Sequence, residues 1–160
     1  MSLARPRLLP PRALLLALAA QLPLLVVSFP LQPPAWAVAA GISLITTGAI
    51  LNIWAERLFR RDDVGVCPFT HVPVLVSRGP YRITRNPMYL GLVCIDAGVA
   101  LVCGVPANLW SAITLLVWVH HAFVLPEEVF LRQKLGADFE AYAHRVPRWV
   151  FARGITASLR

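Results

Sequence analysis

Gly79-Pro80-Tyr81-Arg82-Ile83-Thr84-Arg85-Asn86-Pro87-Met88-Tyr89-Leu90-Gly91 is the stretch that decides how this chain folds. It is a basic, tyrosine-bearing corner that runs at Pro87 into a long apolar segment. Pro126-Glu127-Glu128 answers it where a second apolar segment ends. Only a few residues, with Gly104 and Pro106 among them, join the two segments. A chain that leaves one face of a bilayer after Pro87 and turns there comes back to the same face at Glu127. The spacing therefore predicts that the corner and the paired carboxylate share one rim.

Working outward, four apolar segments stand out, over roughly residues 13–29, 35–55, 88–103 and 107–125. At about 1.5 Å of rise per residue, each approaches or spans a hydrocarbon core of about 30 Å. Pro30, Pro33 and Pro34 bound the first, and Gly104 and Pro106 separate the last two. The chain has 160 residues, 58% hydrophobic and only 14% charged, against about 25% charged in soluble domains. This is the composition of an integral membrane protein of one domain spanning 1–160, with an N-terminal hairpin over 1–55.

The cations fix the number of crossings. Arg5, Arg7 and Arg12 precede the first segment. Arg57, Arg60, Arg61, Arg78, Arg82 and Arg85 lie between the second and third. Arg132, Lys134, Arg145, Arg148, Arg153 and Arg160 follow the fourth. The two short links carry none, so all 15 fall on one side of a four-helix arrangement, which the positive-inside rule makes cytoplasmic. The fold class read here is all-α, with four transmembrane helices and both termini cytoplasmic. A net charge of +7 partitioned in this way speaks for a membrane partner and against nucleic acid. An arginine-rich, alanine-rich composition hints at a bacterial source and hence the inner membrane. A cleaved signal peptide is the alternative for the first segment, but its apolar run exceeds the usual signal core.

The long cytoplasmic loop between helices two and three ends in an extended apolar stretch over 71–80. After Pro126 the tail is amphipathic: Val129, Phe130, Leu131, Leu135, Phe139, Tyr142 and Val146 recur at helical spacing, interrupted near Gly136. An interfacial helix is the simplest reading. Cys67, Cys94 and Cys103 show neither a CxxC nor a Cys/His pairing, so neither a disulfide nor a metal site is expected.

Leu75-Val76, Gly79, Tyr81, Arg85, Asn86, Pro87, Tyr89 and Gly91, followed by Glu127-Glu128, Leu131, Gly136, Phe139, Tyr142 and Val146-Pro147-Arg148-Trp149, keep an order and spacing that resemble a known family. It is the membrane methyltransferase family of isoprenylcysteine carboxyl methyltransferases and phospholipid methyltransferases. The resemblance covers about residues 70–150. It implies S-adenosylmethionine as cofactor, a lipophilic or amphiphilic acceptor entering from the bilayer, and a cofactor pocket at the cytoplasmic rim. Carried over by position, Pro73, Val74, Leu75, Val76, Gly79 and Tyr81 would line the adenosine side. Asn86, Pro87, Met88 and Tyr89 would form the corner, and Glu127 and Glu128 would serve the cofactor's amino group. Tyr89, Arg85 and His121 are the candidates for the chemistry, and Asp96, His120 and Phe123 for the acceptor lining.

The chemistry of that cofactor suits these residue types. A carboxylate binds an ammonium by charge-assisted hydrogen bonds, aromatic faces suit a sulfonium, and methyl transfer gains most from positioning. Two positions depart from the family pattern. Asn86 stands where the family has histidine; it still hydrogen-bonds but does not titrate near neutrality, a difference that bacterial-type members tolerate. Phe123 stands where the eukaryotic prenylcysteine enzymes place a substrate-binding arginine, which counts against a prenylcysteine carboxylate as acceptor.

Each residue also has a plainer reading. Arg82 and Arg85 serve equally as snorkelling anchors, Tyr81 and Tyr89 as an interfacial belt, and Glu127-Glu128 as a helix start after Pro126. Asp96, mid-segment, either faces the acceptor or bonds to Ser111, Thr114 or Asn52 on a neighbouring helix. A nicotinamide-dependent sterol or enone reductase is the rival enzyme. A small multidrug transporter, or a non-catalytic four-helix adaptor, is the rival of another class. The transporter needs a glutamate in the first helix, where this chain has only Gln21.

Overall fold

The computed structural model describes residues 10–27, 32–61, 75–105 and 108–150. Pro73, Val74 and Cys67 lie outside the described residues. Within them the chain is helical, with no strand. The elements are α1 (Pro10–Val27), α2 (Ala35–Arg61), α3 (Pro87–Val102), α4 (Leu109–Val119), α5 (Leu125–Leu135) and α6 (Ala137–Arg145). A single 3₁₀ turn, Gly79–Arg82, makes the corner before α3. Among the described residues two helical stretches are long and apolar enough to cross a membrane, Ala35–Leu58 and Leu109–Leu135; Pro87–Val102 is a shorter apolar helix.

α2 and α3 form the most extensive contact of the bundle, and glycine is the reason. Gly41 faces Gly98 and Gly48 faces Gly91, so that within each helix the glycines recur seven residues apart on one side. A Cβ on Gly48 would lie 2.5 Å from the Gly91 carbonyl oxygen, and one on Gly98 2.6 Å from that of Gly41. Backbones therefore touch at two crossing points, the mode by which apolar helices associate without a hydrophobic driving force.

α4 runs into α5 through a π turn, His120–Val124, in which the Leu125 N–H bonds to the His120 carbonyl. Pro126 explains the turn. Its ring has no N–H for the carbonyl four residues back and would clash with it, so the helix widens just before the proline. The extra residue per turn rotates the face of α5 and brings Phe123, Val124 and Glu128 inward; all three are buried.

Gly136, with φ 51°, ends α5 and sends α6 back over it. The amphipathic stripe of α6 is used differently from the expectation of a helix lying on the bilayer. Phe139, Tyr142 and Val146 are buried against Leu75, Leu131 and Leu135, so the stripe covers the protein's own rim. Periodicity identified the apolar face correctly, but not what covers it.

Candidate active site

The corner and the carboxylate pair meet. The Tyr89 hydroxyl donates to Glu127 Oε2 at 3.2 Å, joining the first turn of α3 to the first turn of α5. Pro87 at the first position of α3 fixes where that helix begins, which sets the depth of Tyr89. The Tyr89 ring lies 6.0 Å from Phe123, which in turn meets Trp118 edge-on at 5.3 Å. Val76, Tyr81 and the partly buried Met88 pack on Ala55 and Leu58 of α2. Gly79 turns at φ 60° above Leu58 and Trp54. Burial, and next the nearby charge of Glu127, hold the Tyr81 phenol above the ordinary tyrosine range. It is a neutral ring and donor at any physiological pH.

Glu128 does something else. Arg148 grips it with two hydrogen bonds, Nε to Oε1 at 2.8 Å and Nη2 to Oε2 at 2.6 Å. Arg85 Nη1 adds an ion pair at 3.2 Å. Around this clamp the tail is tied to the corner by its backbone. Thr84 Oγ1 and Asn86 Nδ2 both donate to the Arg148 carbonyl, at 2.8 and 3.1 Å, and the Arg85 N–H donates to the Pro147 carbonyl at 3.0 Å. The Tyr142 hydroxyl donates to the Tyr81 carbonyl at 2.8 Å. Burial lowers the Arg85 pKa despite the neighbouring carboxylate. Arg148, more open, is raised by its hydrogen bonds to Glu128. Burial also lifts the Tyr142 phenol above its usual value.

The sequence-derived candidates thus divide. Tyr89 and Glu127 are joined directly, and Tyr81 lies close enough to feel the charge of Glu127; Val76 and Met88 pack with Tyr81 on α2, and Leu75 packs with the tail. Arg85, Asn86 and Glu128 hold the tail against that corner, so Arg85 is a positioning residue here and its charge is committed. His121 is exposed and stands edge-on to His120 at 5.0 Å; His120 Nδ1 accepts the Trp149 indole N–H at 3.4 Å. Asp96 belongs to neither group. It is 0% exposed, takes Gln21 Nε2 at 2.9 Å and lies 2.6 Å from Ser111 Oγ, the neighbouring-helix contact that is one of its two sequence readings. Thr84, Tyr142, Arg148 and Gln21 went unassigned in the sequence. Tyr142 and Arg148 left a trace as parts of the tail pattern, and Gln21 only as a residue that is not glutamate.

Over residues 36–138 the chain matches the phospholipid methyltransferase family, and it belongs to that family. Two curated relatives are a probable protein-S-isoprenylcysteine O-methyltransferase of Oryza sativa subsp. indica and protein-S-isoprenylcysteine O-methyltransferase B of Arabidopsis thaliana. The first is 30% identical over 128 residues, 74% of this chain and 63% of the relative. The second is 31% identical over 135 residues, 78% and 65% respectively. The chain therefore spans just under two thirds of the length of the relatives it matches. No solved structure matches it.

Proposed function

We propose that this chain is an integral-membrane methyltransferase that uses S-adenosylmethionine to methylate a lipophilic acceptor. The observation that carries this reading is the Tyr89–Glu127 hydrogen bond, which joins the start of α3 to the start of α5 near Tyr81. The donor set fits the group: Glu127 for an ammonium, the Tyr81 and Tyr89 rings for a sulfonium, and the apolar wall of Leu75 and Val76 for a base. When bound, S-adenosylmethionine supplies an electrophilic methyl group. The chain's own part is to orient and to exclude water. Tyr89 holds Glu127 in place. The Glu128–Arg148 clamp and the Thr84, Arg85 and Asn86 contacts keep the tail closed over the corner, where positioning contributes most.

The topology that goes with this reading has four crossings, with the rim, both termini and all 15 cations on the cytoplasmic side, in a bacterial inner membrane. Phe123, buried between Tyr89 and Trp118, offers no cation for an acceptor carboxylate. The acceptor proposed is therefore a lipophile broader in kind than the prenylcysteine named for the plant relatives.

Calorimetry on detergent-solubilised protein tests it. Saturable S-adenosylmethionine binding is expected, and Glu127→Ala should weaken it about tenfold or more, the worth of a charge-assisted hydrogen bond. Binding of a nicotinamide cofactor in its place, or affinity indifferent to Glu127→Ala and Tyr81→Ala, overturns the reading.

A further inference from the structure

The clamp contacts fall on Thr84, Arg85, Asn86 and Glu128. Tyr142 reaches the corner earlier, at Tyr81, whose carbonyl accepts its hydroxyl at 2.8 Å across 61 residues of chain. Within the turn Gly79–Arg82, the Tyr81 N–H goes to the Arg78 carbonyl at 3.3 Å. The Pro80 carbonyl takes the Ile83 and Thr84 N–H groups, at 3.0 and 3.3 Å. The next carbonyl is the one that Tyr142 takes. Both peptide planes that flank the Tyr81 Cα are therefore tied, one by the turn and the other by Tyr142. With planar peptides, that fixes φ and ψ at Tyr81, and φ and ψ decide the direction and rotamers open to its ring.

Tyr142 is itself held firmly enough to do this. Gly136 turns α6 back over α5, and spacings of three and four residues put Phe139, Tyr142 and Val146 on one face. All three are buried against Leu75, Leu131 and Leu135, and the Phe139 ring lies 6.4 Å from that of Tyr142. Leu75 is followed by Val76, which packs with Tyr81 on α2. The tail thus braces the approach to Tyr81 by apolar contact and Tyr81 itself by a hydrogen bond. The Tyr142 phenol, raised first by burial, also feels Arg85 and Glu128. The Tyr81 phenol, raised first by burial, also feels Glu127 and Tyr142. Tyr142 therefore stands between the Glu128 clamp and the tyrosine nearest to Glu127 on the corner's other side.

We infer that Tyr142 is a positioning residue of the cofactor site: by fixing the Tyr81 carbonyl, it sets where the Tyr81 ring stands relative to Glu127. The role rests on the methyltransferase reading above, because that reading puts the cofactor against the Tyr81 ring. Tyr142 acts through Tyr81 and not by touching the cofactor.

Tyr142→Phe tests it, because it keeps the buried ring and removes the hydroxyl alone. Calorimetry on the full chain in detergent should show S-adenosylmethionine affinity reduced about fivefold, the worth of one neutral hydrogen bond. In a Tyr81→Ala background the same substitution should cost nothing further, since no ring is left to place; the double-mutant cycle reads that coupling. A merely structural tyrosine would weaken binding alike in both backgrounds. In the unloaded protein, Tyr142→Phe should quicken amide exchange over residues 79–83 and leave α2 and α3 unchanged. Equal losses in the two backgrounds overturn the proposal. So does wild-type affinity in Tyr142→Phe, or exchange at the corner that ignores the hydroxyl. If the corner's exchange depends on Tyr142 but the wild type binds no S-adenosylmethionine, the methyltransferase reading fails. Tyr142 is then a brace of the fold, and its role toward the cofactor falls with that reading.

Discussion

Glu128 and Asp96 are both buried carboxylates, and each ties together three parts of the chain, yet they are satisfied by opposite means. Glu128, 5% exposed, joins α5, the corner and the tail through two arginines. Asp96, 0% exposed, joins α3, α1 and α4 through an amide and a hydroxyl. The difference follows from depth. At a rim, long arginine side chains reach inward while their stems lie on apolar surface, so cations are available. In the middle of an apolar bundle a cation is too costly, and neutral donors must serve. A carboxylate that organises a site is thus told from one that organises a bundle by its partners.

The sharpest way to break this comparison is Glu128→Gln. It leaves Arg85, whose side chain is 12% exposed, facing a neutral group beside a second guanidinium. Removing one partner of a buried ion pair costs about 3–5 kcal/mol. Arg148, at 32%, can turn outward, so the low end of that range is expected. Thermal unfolding in detergent measures it, and Arg148→Met in the Glu128→Gln background should recover part of the loss. A shift no larger than that of an exposed variant such as Arg60→Ala would mean that the clamp is ornamental.

Asn86→Ala probes the same clamp more gently. It deletes one neutral hydrogen bond to the Arg148 carbonyl, about 1 kcal/mol, and should loosen the tail without unfolding the bundle. Faster amide exchange across residues 142–149, with α2 and α3 unchanged, is the expected signature. Exchange that quickens throughout would place Asn86 in the core instead.

How far could this have been read from residues alone? The apolar segments, the Tyr89–Glu127 meeting and the Gly136 break were all legible, because each rests on local spacing or on a hairpin of fixed length. Arg148 on Glu128 was not: 20 residues and a chain reversal separate them, and nothing in the pattern says which of six C-terminal cations turns inward. Gln21 was seen only as a residue that is not glutamate; its partner lies 75 positions away. The π turn was hidden as well, since Pro126 announces a disturbance without saying whether the helix kinks, ends or widens. Periodicity gave the apolar face of α6, but lipid and protein are equally apolar covers.

The rim also has an alkaline signature that the middle of the bundle lacks. Tyr81 and Tyr142 are held above the ordinary tyrosine pKa of 10.0, chiefly by burial. A raised folded-state pKa favours the native state below the unfolded value, and that contribution is lost as pH climbs past it. Stability should therefore be level through neutrality and fall only above about pH 10. Phenolate absorbance should follow the unfolding of the rim. Early ionisation of all three tyrosines, with the fold intact, would show that the corner is open to solvent.

The smallest effect is expected at Asp96→Asn, and it separates the two carboxylates most clearly. Ser111 Oγ lies 2.6 Å from Asp96 Oδ2 and 2.7 Å from the Asn108 carbonyl, but a hydroxyl has one proton and cannot donate to both. An asparagine amide at position 96 would donate to Ser111 and release the hydroxyl for Asn108, while its oxygen still accepts from Gln21. The cost should stay within about 0.5 kcal/mol, a net change in hydrogen bonding near zero. Asp96→Leu, which takes the carboxylate from both Ser111 and Gln21, should cost about 1 kcal/mol, because the Gln21 amide keeps the residue-96 backbone carbonyl at 3.2 Å and Ser111 Oγ at 3.1 Å. If Asp96→Asn instead destabilises as much as Glu128→Gln, the carboxylate in the bundle acts through its charge, and depth is not what distinguishes the two sites.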